Sequence, residues 1–315
     1  MISNTFPGSD GRSNINYRIW EPEDTAPVAV VQVIHGMAEY VDRYAPLAGY
    51  LNQNGIVLAG EDHIGHGQSC DFNDRGYFGE KDGWLYMIKD VHRLHSILSE
   101  RYPGVPGIMM GHSMGSFLCR AWLSMYGKEE REAGRLSGAI ICGTAGPNPA
   151  AGAGVALCKI LRSLKGSRHI SKTVNGIVFG PYARGVKNAR TTYDWLSRDE
   201  EVVDAYIKDP LCGFIFSLAG HQDLFTLLGY VSGKACFNAL PKELCYLLIA
   251  GGEDPVGNFG KGVAEVVEMM EAAGCEDVSC ILYEGMRHEI HNEIGKEAVY
   301  EDIRDFCLDM ADEAK

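Results

Sequence analysis

Along the first half of the chain, short and almost wholly apolar runs alternate with stretches whose apolar positions recur every three or four residues. Ile15–Trp20 reads as an edge strand, and Val28–Ile34 (VAVVQVI) and Ile56–Gly60 (IVLAG) as strands buried on both faces. Tyr44–Gln53 between them reads as a helix ended by Gly55. Trp84, Met87, Ile88, Val91, His95 and Leu98 share one helical face, and Pro103 closes that helix. Gly107–Met110 is the next strand, Met114–Tyr126 a helix and Leu136–Cys142 a strand. Strands alternating with helices in this way predict a mostly parallel central sheet flanked by helices on both faces.

The rhythm stops after Gly146. Residues 147–233 hold Gly/Ala-rich stretches, Lys/Arg clusters and helical patches such as Val202–Tyr206, with no strong strand run. It resumes with a strand at Leu244–Ala250, a helix around Val263–Ala273 and a strand at Val278–Tyr283. A final helix carries Val299, Ile303, Phe306, Cys307 and Met310 on one face. The chain therefore divides into an α/β core, residues 1–146 and 234–315, and an inserted helical segment, residues 147–233.

The composition supplies the core this fold needs, with 46% hydrophobic and 23% charged residues in 315. A net charge of −13 without an offsetting Lys/Arg block disfavours nucleic acid as a partner and argues against electrostatic capture by anionic lipid. No apolar run approaches the roughly 18 residues of a membrane span. The polar stretch Met1–Trp20 does not read as a signal peptide. Ten cysteines are scattered without a C-x-x-C, several inside apolar runs such as those of Cys119, Cys142 and Cys245. That usage fits free thiols in a reducing, cytoplasmic setting better than a disulfide framework.

Candidate chemistry centres on Gly111-His112-Ser113-Met114-Gly115. This G-x-S-x-G follows a strand and opens a helix, the setting in which a sharp turn presents a strained serine hydroxyl at a helix N-terminus. A serine needs a base and the base needs a carboxylate. His288 follows the last strand, and Asp254, in Gly252-Glu253-Asp254-Pro255, follows the strand before it. The order Ser113, Asp254, His288 is that of α/β-hydrolases, and each residue falls at the C-terminal end of a strand. His291 lies farther from its strand end, Glu253 is the poorer turn former, and Asp277 precedes its strand and belongs at the opposite edge of the sheet.

His35-Gly36-Met37 follows another strand, so the expected oxyanion hole is the backbone N–H of Met37 together with that of Met114. In Asp62-His63-Ile64-Gly65-His66-Gly67-Gln68-Ser69, tight-turn packing with histidine-to-carbonyl bonds is the simpler reading than a metal site. His288-Glu289-Ile290-His291 is one residue short of H-E-x-x-H, Gly260-Lys261 lacks the rest of a P-loop, and Gly152-x-Gly154 lacks the third glycine of a dinucleotide loop. No cofactor and no metal are expected.

Together these motifs resemble the monoacylglycerol lipase and lysophospholipase branch of the α/β-hydrolases. The likeness rests on His35-Gly36-Met37-Ala38-Glu39 with Arg43-Tyr44, on Asp62-His63-x-Gly65-His66-Gly67-x-Ser69, and on Gly111–Gly115. It extends through Asp209-Pro210-Leu211, Gly252-x-Asp254-Pro255-Val256 and Arg287-His288-Glu289 with Asn292-Glu293. It implies an α/β-hydrolase fold whose insertion is a helical cap, with a Ser113–Asp254–His288 triad. It also implies hydrolysis of a single-chain acyl ester with a small polar head, such as monoacylglycerol. A small-ester carboxylesterase, a lysophospholipase and a proline-type aminopeptidase share the triad. The different-class alternative is a non-catalytic binding protein on the same fold, against which an intact triad with an intact oxyanion turn argues. An aminopeptidase would need an acidic group for the substrate ammonium, and Asp199, Glu200, Glu201 and Asp204 are the cap's carboxylates on offer. The apolar run that includes Phe214, Leu224 and Phe225 is a candidate acyl-binding wall. Transient lipid or membrane contact through the cap is left open, and no strongly cationic amphipathic helix marks it.

Overall fold

Side chains alternate between the two faces of a strand, so a run that is apolar throughout must sit between two cores. The computed structural model, which describes residues 1–313, shows that arrangement. Its strands are β1 (Ile2–Pro7), β2 (Asn14–Trp20), β3 (Ala29–Ile34), β4 (Ile56–Glu61), β5 (Gly107–His112), β6 (Gly138–Cys142), β7 (Cys245–Gly251) and β8 (Asp277–Tyr283). The helices of the first half are α1 (Ala45–Asn52), α2 (Gly83–Arg101), α3 (Met114–Trp122) and α4 (Lys128–Glu132). Between β6 and β7 come α5 (Ala151–Lys165), α6 (Lys172–Gly185), α7 (Glu200–Lys208), α8 (Leu218–Val231) and α9 (Lys234–Ala239). Helices α10 (Lys261–Ala272) and α11 (Lys296–Glu313) complete the described chain.

Among the described residues the strands form one sheet in the order β1-β2-β4-β3-β5-β6-β7-β8. β2 pairs antiparallel with both β1 and β4, and every other pairing is parallel. Val31, Val33, Leu58, Ile108, Met110 and Ile249 point into a core with Leu47 and Leu51 of α1 and Val299, Ile303 and Cys307 of α11. Their neighbours Val30, Val57, Met109, Ile141 and Leu248 point into the opposite core, with Val91 of α2, Trp122 of α3 and Val263 of α10. The ten cysteines are unpaired.

Two expectations need correction. Ile15–Trp20 is not at the edge, because β1 lies outside it. Only Phe6 of β1 is buried, so the strand carries no apolar signature. The helix after Ser113 does not stop at Tyr126 either. It widens into a π turn over Leu123–Gly127 and continues as α4.

From β3 the chain steps to β4 on one side and then crosses to β5 on the other. The loops after β3 and β5 therefore diverge and leave a crevice at the C-terminal edge of the sheet, where open α/β sheets place their sites. Helices α5 to α8 arise from the loop after β6, on the same edge. The buried guanidinium of Arg120 in α3 ties their far end to the core by donating to the Val231 carbonyl at 2.7 Å.

One buried carboxylate strains this core. Asp90 of α2 accepts the Ser9 N–H at 2.8 Å through Oδ1, while its buried Oδ2 has no partner. Burial, reinforced by nearby Glu61, pushes its carboxyl up to about 7. The folded state thus holds a proton that the unfolded chain releases above about pH 4, and stability falls as pH rises from there to about 7. Asp90→Asn keeps an acceptor for Ser9. It is expected to leave stability unchanged near pH 4 and to raise it by a few kcal/mol, to order of magnitude, above pH 7. Urea denaturation at the two pH values measures the difference, and an equal effect at both would contradict it.

Candidate active site

Ser113 sits between β5 and α3 with φ 56° and ψ −121°, a strained conformation for a non-glycine residue. The turn leaves no room for side chains at its flanks. A Cβ on Gly115 would lie 1.9 Å from the Ile34 carbonyl oxygen, and one on Gly111 would lie 2.3 Å from that of Gly115. The same sharpness puts the serine at the N-terminus of α3, with Met114 as first helical residue, whose N–H has no intrahelical partner.

The other two predicted side chains meet across the crevice. His288 Nδ1 lies 2.8 Å from Asp254 Oδ2, and both residues are buried. Asp254 Oδ1 accepts the Val256 N–H at 2.8 Å, which fixes the carboxylate plane. With Nδ1–H donating to Asp254, Nε2 of His288 is left as an acceptor, and it has no partner among the described residues. Ser113 and His288 line one cavity. The rivals are placed elsewhere. Glu253 is exposed, Asp277 is exposed at the start of β8, and His291 lies in a 3-10 turn stacked on Tyr44 with centroids 4.7 Å apart. Burial pushes the His291 imidazole down to about 3, so it is a neutral packing group.

The His35-Gly36-Met37 turn lies directly against the serine, since a Cβ on Gly36 would be 3.2 Å from that of Ser113. Its shape is set from three sides. The Gly36 N–H donates to Glu39 Oε1 at 2.5 Å. The Ala38 carbonyl, at a residue with φ 54°, accepts from Tyr206 Oη and the Gly213 N–H, both at 3.0 Å. His35 accepts the His63 N–H at 3.1 Å through Nε2, and its Nδ1 donates to the Gly36 carbonyl. The Asp62–Ser69 loop is thus a brace. Asp62 accepts the N–H groups of Val41 and Gln68, and the His66 ring packs on Phe78, Phe214 and Phe216.

Sequence reasoning gave no role to the charged groups beneath the site. Glu39, Arg43, His112 and Glu289 form a buried quartet. Arg43 donates to Glu289 at 2.7 and 2.6 Å and to Glu39 at 2.8 Å. His112 Nδ1 faces Glu39 Oε1 at 3.3 Å, and its Nε2 reaches the His288 carbonyl at 3.2 Å. Both partners are acceptors, an arrangement that favours protons on both nitrogens of His112. Burial opposes that charge, but the hydrogen bond and charge of Glu39 hold His112 above its ordinary value. Burial likewise works against Glu39, yet His112 and Arg43 hold its carboxyl well below the usual range. One ionic cluster thus fixes the Gly36 turn and the His288 backbone together. The inserted segment closes the other side: the Trp195 ring lies 5.1 Å from that of His288, and the Trp195 and Leu196 carbonyls accept the N–H groups of His288 and Glu289. Glu39, Arg43 and Glu289 stand inside the motifs already noted, but their partners lie up to 246 residues apart and no local spacing connects them.

Two cavities open from Ser113. One, of about 280 Å³, is lined by Met37, Tyr193, Tyr206, Phe214 and His288. The other, of about 540 Å³, runs between α5, α6 and α8 and is lined by Met114, Phe117, Leu157, Val178, Leu224, Phe225 and Leu228. Met37, Ser113, Phe179 and Trp195 border both. The three residues expected on one apolar wall are therefore divided, Phe214 facing the smaller cavity and Leu224 and Phe225 the larger. Among the described residues, the group whose metal-ligating atoms come within 4.8 Å of one another is His112, Cys142 and His291. A metal there would break the bonds His112 makes to Glu39 and to the His288 carbonyl. No helix among the described residues is long and apolar enough to cross a membrane.

Comparison with known proteins places this arrangement. Residues 25–295 match the family model described as serine aminopeptidase, S33. The monoacylglycerol lipase of Mycolicibacterium smegmatis is 30% identical over 98% of this chain and 99% of its own. The human monoglyceride lipase is 28% identical over 88% of this chain and 80% of its own. A carboxyl esterase from Bacillus coagulans, solved in complex with glycerol, superposes with a TM-score of 0.90 at 30% identity over 98% of both chains.

Proposed function

Because the chain belongs to the serine aminopeptidase S33 family of α/β-hydrolases, we propose that it is a serine hydrolase cleaving monoacylglycerol or a similar single-chain acyl ester. The observation that carries the chemistry is the buried His288–Asp254 pair, with a free Nε2 in the cavity of Ser113. His288 Nε2 takes the Ser113 proton as Oγ attacks the ester carbonyl. The N–H groups of Met37 and Met114 hold the oxyanion, and Asp254 steadies the imidazolium. Collapse expels the alcohol, which takes the proton from His288. Water, deprotonated by the same nitrogen, then attacks the acyl-enzyme, releases the fatty acid and restores Ser113. No cofactor enters this scheme.

Residues 147–233 act as the cap. The larger cavity, with Phe117, Leu224, Phe225 and Leu228 on its wall, takes the acyl chain. The smaller one takes the head group, near Tyr193 and Thr192, with Phe214 at its wall. An aminopeptidase reading finds no support in the cap carboxylates: Asp199, Glu200, Glu201 and Asp204 line neither cavity, and Arg190 pairs with Asp204 and Glu200. The unpaired thiols favour action in a reducing, cytoplasmic compartment.

Fatty-acid release from a monoacylglycerol chain-length series, run beside short aryl esters, tests the substrate. A clear chain-length optimum is expected. In Leu224→Trp or Phe225→Trp the optimum should move to shorter chains with aryl-ester turnover retained. Cleavage of aryl esters alone would discard the lipid substrate and keep the hydrolase. An unmoved optimum in both variants would remove the acyl chain from the larger cavity.

A further inference from the structure

Glu61, the last residue of β4, is buried with neither carboxylate oxygen hydrogen-bonded among the described residues. An orphaned carboxylate is costly in a core, and such departures from good packing gather where function requires them. Its neighbour is His63. Alternation along the end of β4 puts residues 61 and 63 on one side, and His63 Nδ1 lies 3.5 Å from Glu61 Oε1 with both side chains fully buried. The other ring nitrogen of His63, Nε2, is 3.2 Å from the His35 carbonyl. A carbonyl only accepts, so this arrangement favours a proton on Nε2. A bare lone pair on Nδ1 would then face a carboxylate oxygen and be repelled by it. One proton between Nδ1 and Glu61 removes that repulsion.

The pair stands behind the expected oxyanion donor. His35 Nε2 accepts the His63 N–H at 3.1 Å, which leaves the His35 proton on Nδ1, and Nδ1 donates to the Gly36 carbonyl at 2.8 Å. The Gly36 carbonyl and the Met37 N–H belong to one planar peptide unit, so holding that oxygen aims that N–H. Burial, with the His63 and His66 imidazoles beside it, keeps His35 well below its ordinary value and therefore neutral, which preserves Nε2 as an acceptor. The His35 and His63 rings pack with centroids 4.0 Å apart. His63 thus grips His35 at its carbonyl, at its Nε2 and on its ring face. Without Glu61, the His63 ring would be held at one nitrogen only and could turn about its Cβ–Cγ bond.

We propose that Glu61 is a positioning residue for ester hydrolysis: it holds His63, which holds His35, which aims the Met37 N–H at the oxyanion. The inference rests on the hydrolase reading above, with Met37 as one of the two oxyanion donors. A misaimed donor costs little while the substrate carbonyl is uncharged and much once the charge develops, so the loss falls on kcat and not on KM. Asp90 on α2 is also a buried carboxylate with an unpartnered oxygen, but its bond goes to the Ser9 N–H and not to His63. It has no such role.

Steady-state hydrolysis of a short aryl ester by full-length Glu61→Met tests it. kcat is expected to fall on the order of tenfold, with KM within about twofold of wild type. Inhibition by an alkyl trifluoromethyl ketone, whose adduct with Ser113 puts an oxyanion in the same place, should weaken by the same factor. The unfolding midpoint should not fall, because an apolar side chain of similar size replaces a buried carboxylate that has no hydrogen bonds. In Glu61→Gln the amide N–H donates to His63 Nδ1, so kcat should return to within about threefold of wild type. Asp90→Asn should leave kcat unchanged. The inference is overturned if Glu61→Met keeps wild-type kcat and inhibitor affinity, if its kcat falls only together with the unfolding midpoint, or if Glu61→Gln is as slow as Glu61→Met. It is also overturned if Asp90→Asn is equally slow. A wild-type protein that turns over no ester overturns the hydrolase reading and this inference with it, whereas an active wild type with an unaffected Glu61→Met overturns this inference alone.

Discussion

Ser113→Ala is expected to lower ester turnover on the order of 10⁶-fold while the protein stays folded. The first half of that result follows from the free Nε2 of His288, which opens on the cavity it shares with Ser113. The second half follows from the local packing. Ser113 Oγ makes no hydrogen bond among the described residues, whereas its backbone is held by the Ser113 N–H to the Cys142 carbonyl and by Ser116 Oγ to the Ser113 carbonyl. Alanine keeps both bonds and the Cβ. Its φ of 56° costs alanine about what it costs serine. Turnover with purified variant, alongside thermal unfolding, checks both halves. Retained turnover would remove Ser113 from the mechanism.

Arg43→Met is expected to be among the most destabilising single changes in the core. It leaves Glu39 and Glu289 buried and facing each other without their shared cation. Breaking a buried pair by removing one partner costs about 3–5 kcal/mol, which lowers the unfolding midpoint by roughly 5–15 °C in a chain of this size. The sign of the pH dependence is fixed by the carboxylates. Burial works against the charge on Glu289 as on Glu39, but the Arg43 guanidinium outweighs it and holds Glu289 below its ordinary value. The stability these depressed groups add is present above an ordinary carboxyl pKa of about 4.3 and is lost as pH falls through their folded values. Without Arg43, burial favours their protonated forms, and the variant regains ground as pH falls. The gap between wild type and Arg43→Met should therefore be widest near pH 7 and narrow towards pH 4.5. A gap that does not change over that range would deny that the cluster is ionic. Because the same cluster holds the Gly36 turn and the His288 carbonyl, the variant should also lose turnover at temperatures where it is folded.

What could be read in the sequence follows from where the information sits. Ser113, Asp254 and His288 each follow an apolar strand run, so the alternation that predicts the sheet also predicts which end of it they occupy. The helix faces of α2 and α11 are written in residues three and four apart and were legible for the same reason. β1 was not, since a strand with Phe6 as its one buried residue has no apolar alternation to detect. The quartet under the site was not, because burial of Arg43 or Glu289 becomes apparent only when β3 and the loop after β8 are brought together. The division of Phe214 from Leu224 and Phe225 has a similar origin: the turn before α8 points them to different cavities, although they lie in one apolar run.

The central claim is that Ser113 is the residue activated by the His288–Asp254 pair. Labelling the native protein with a fluorophosphonate and locating the adduct by peptide mass mapping tests it most directly. A single adduct on Ser113, lost in His288→Ala, is the predicted result. An unlabelled protein, or an adduct on any other residue, would contradict it.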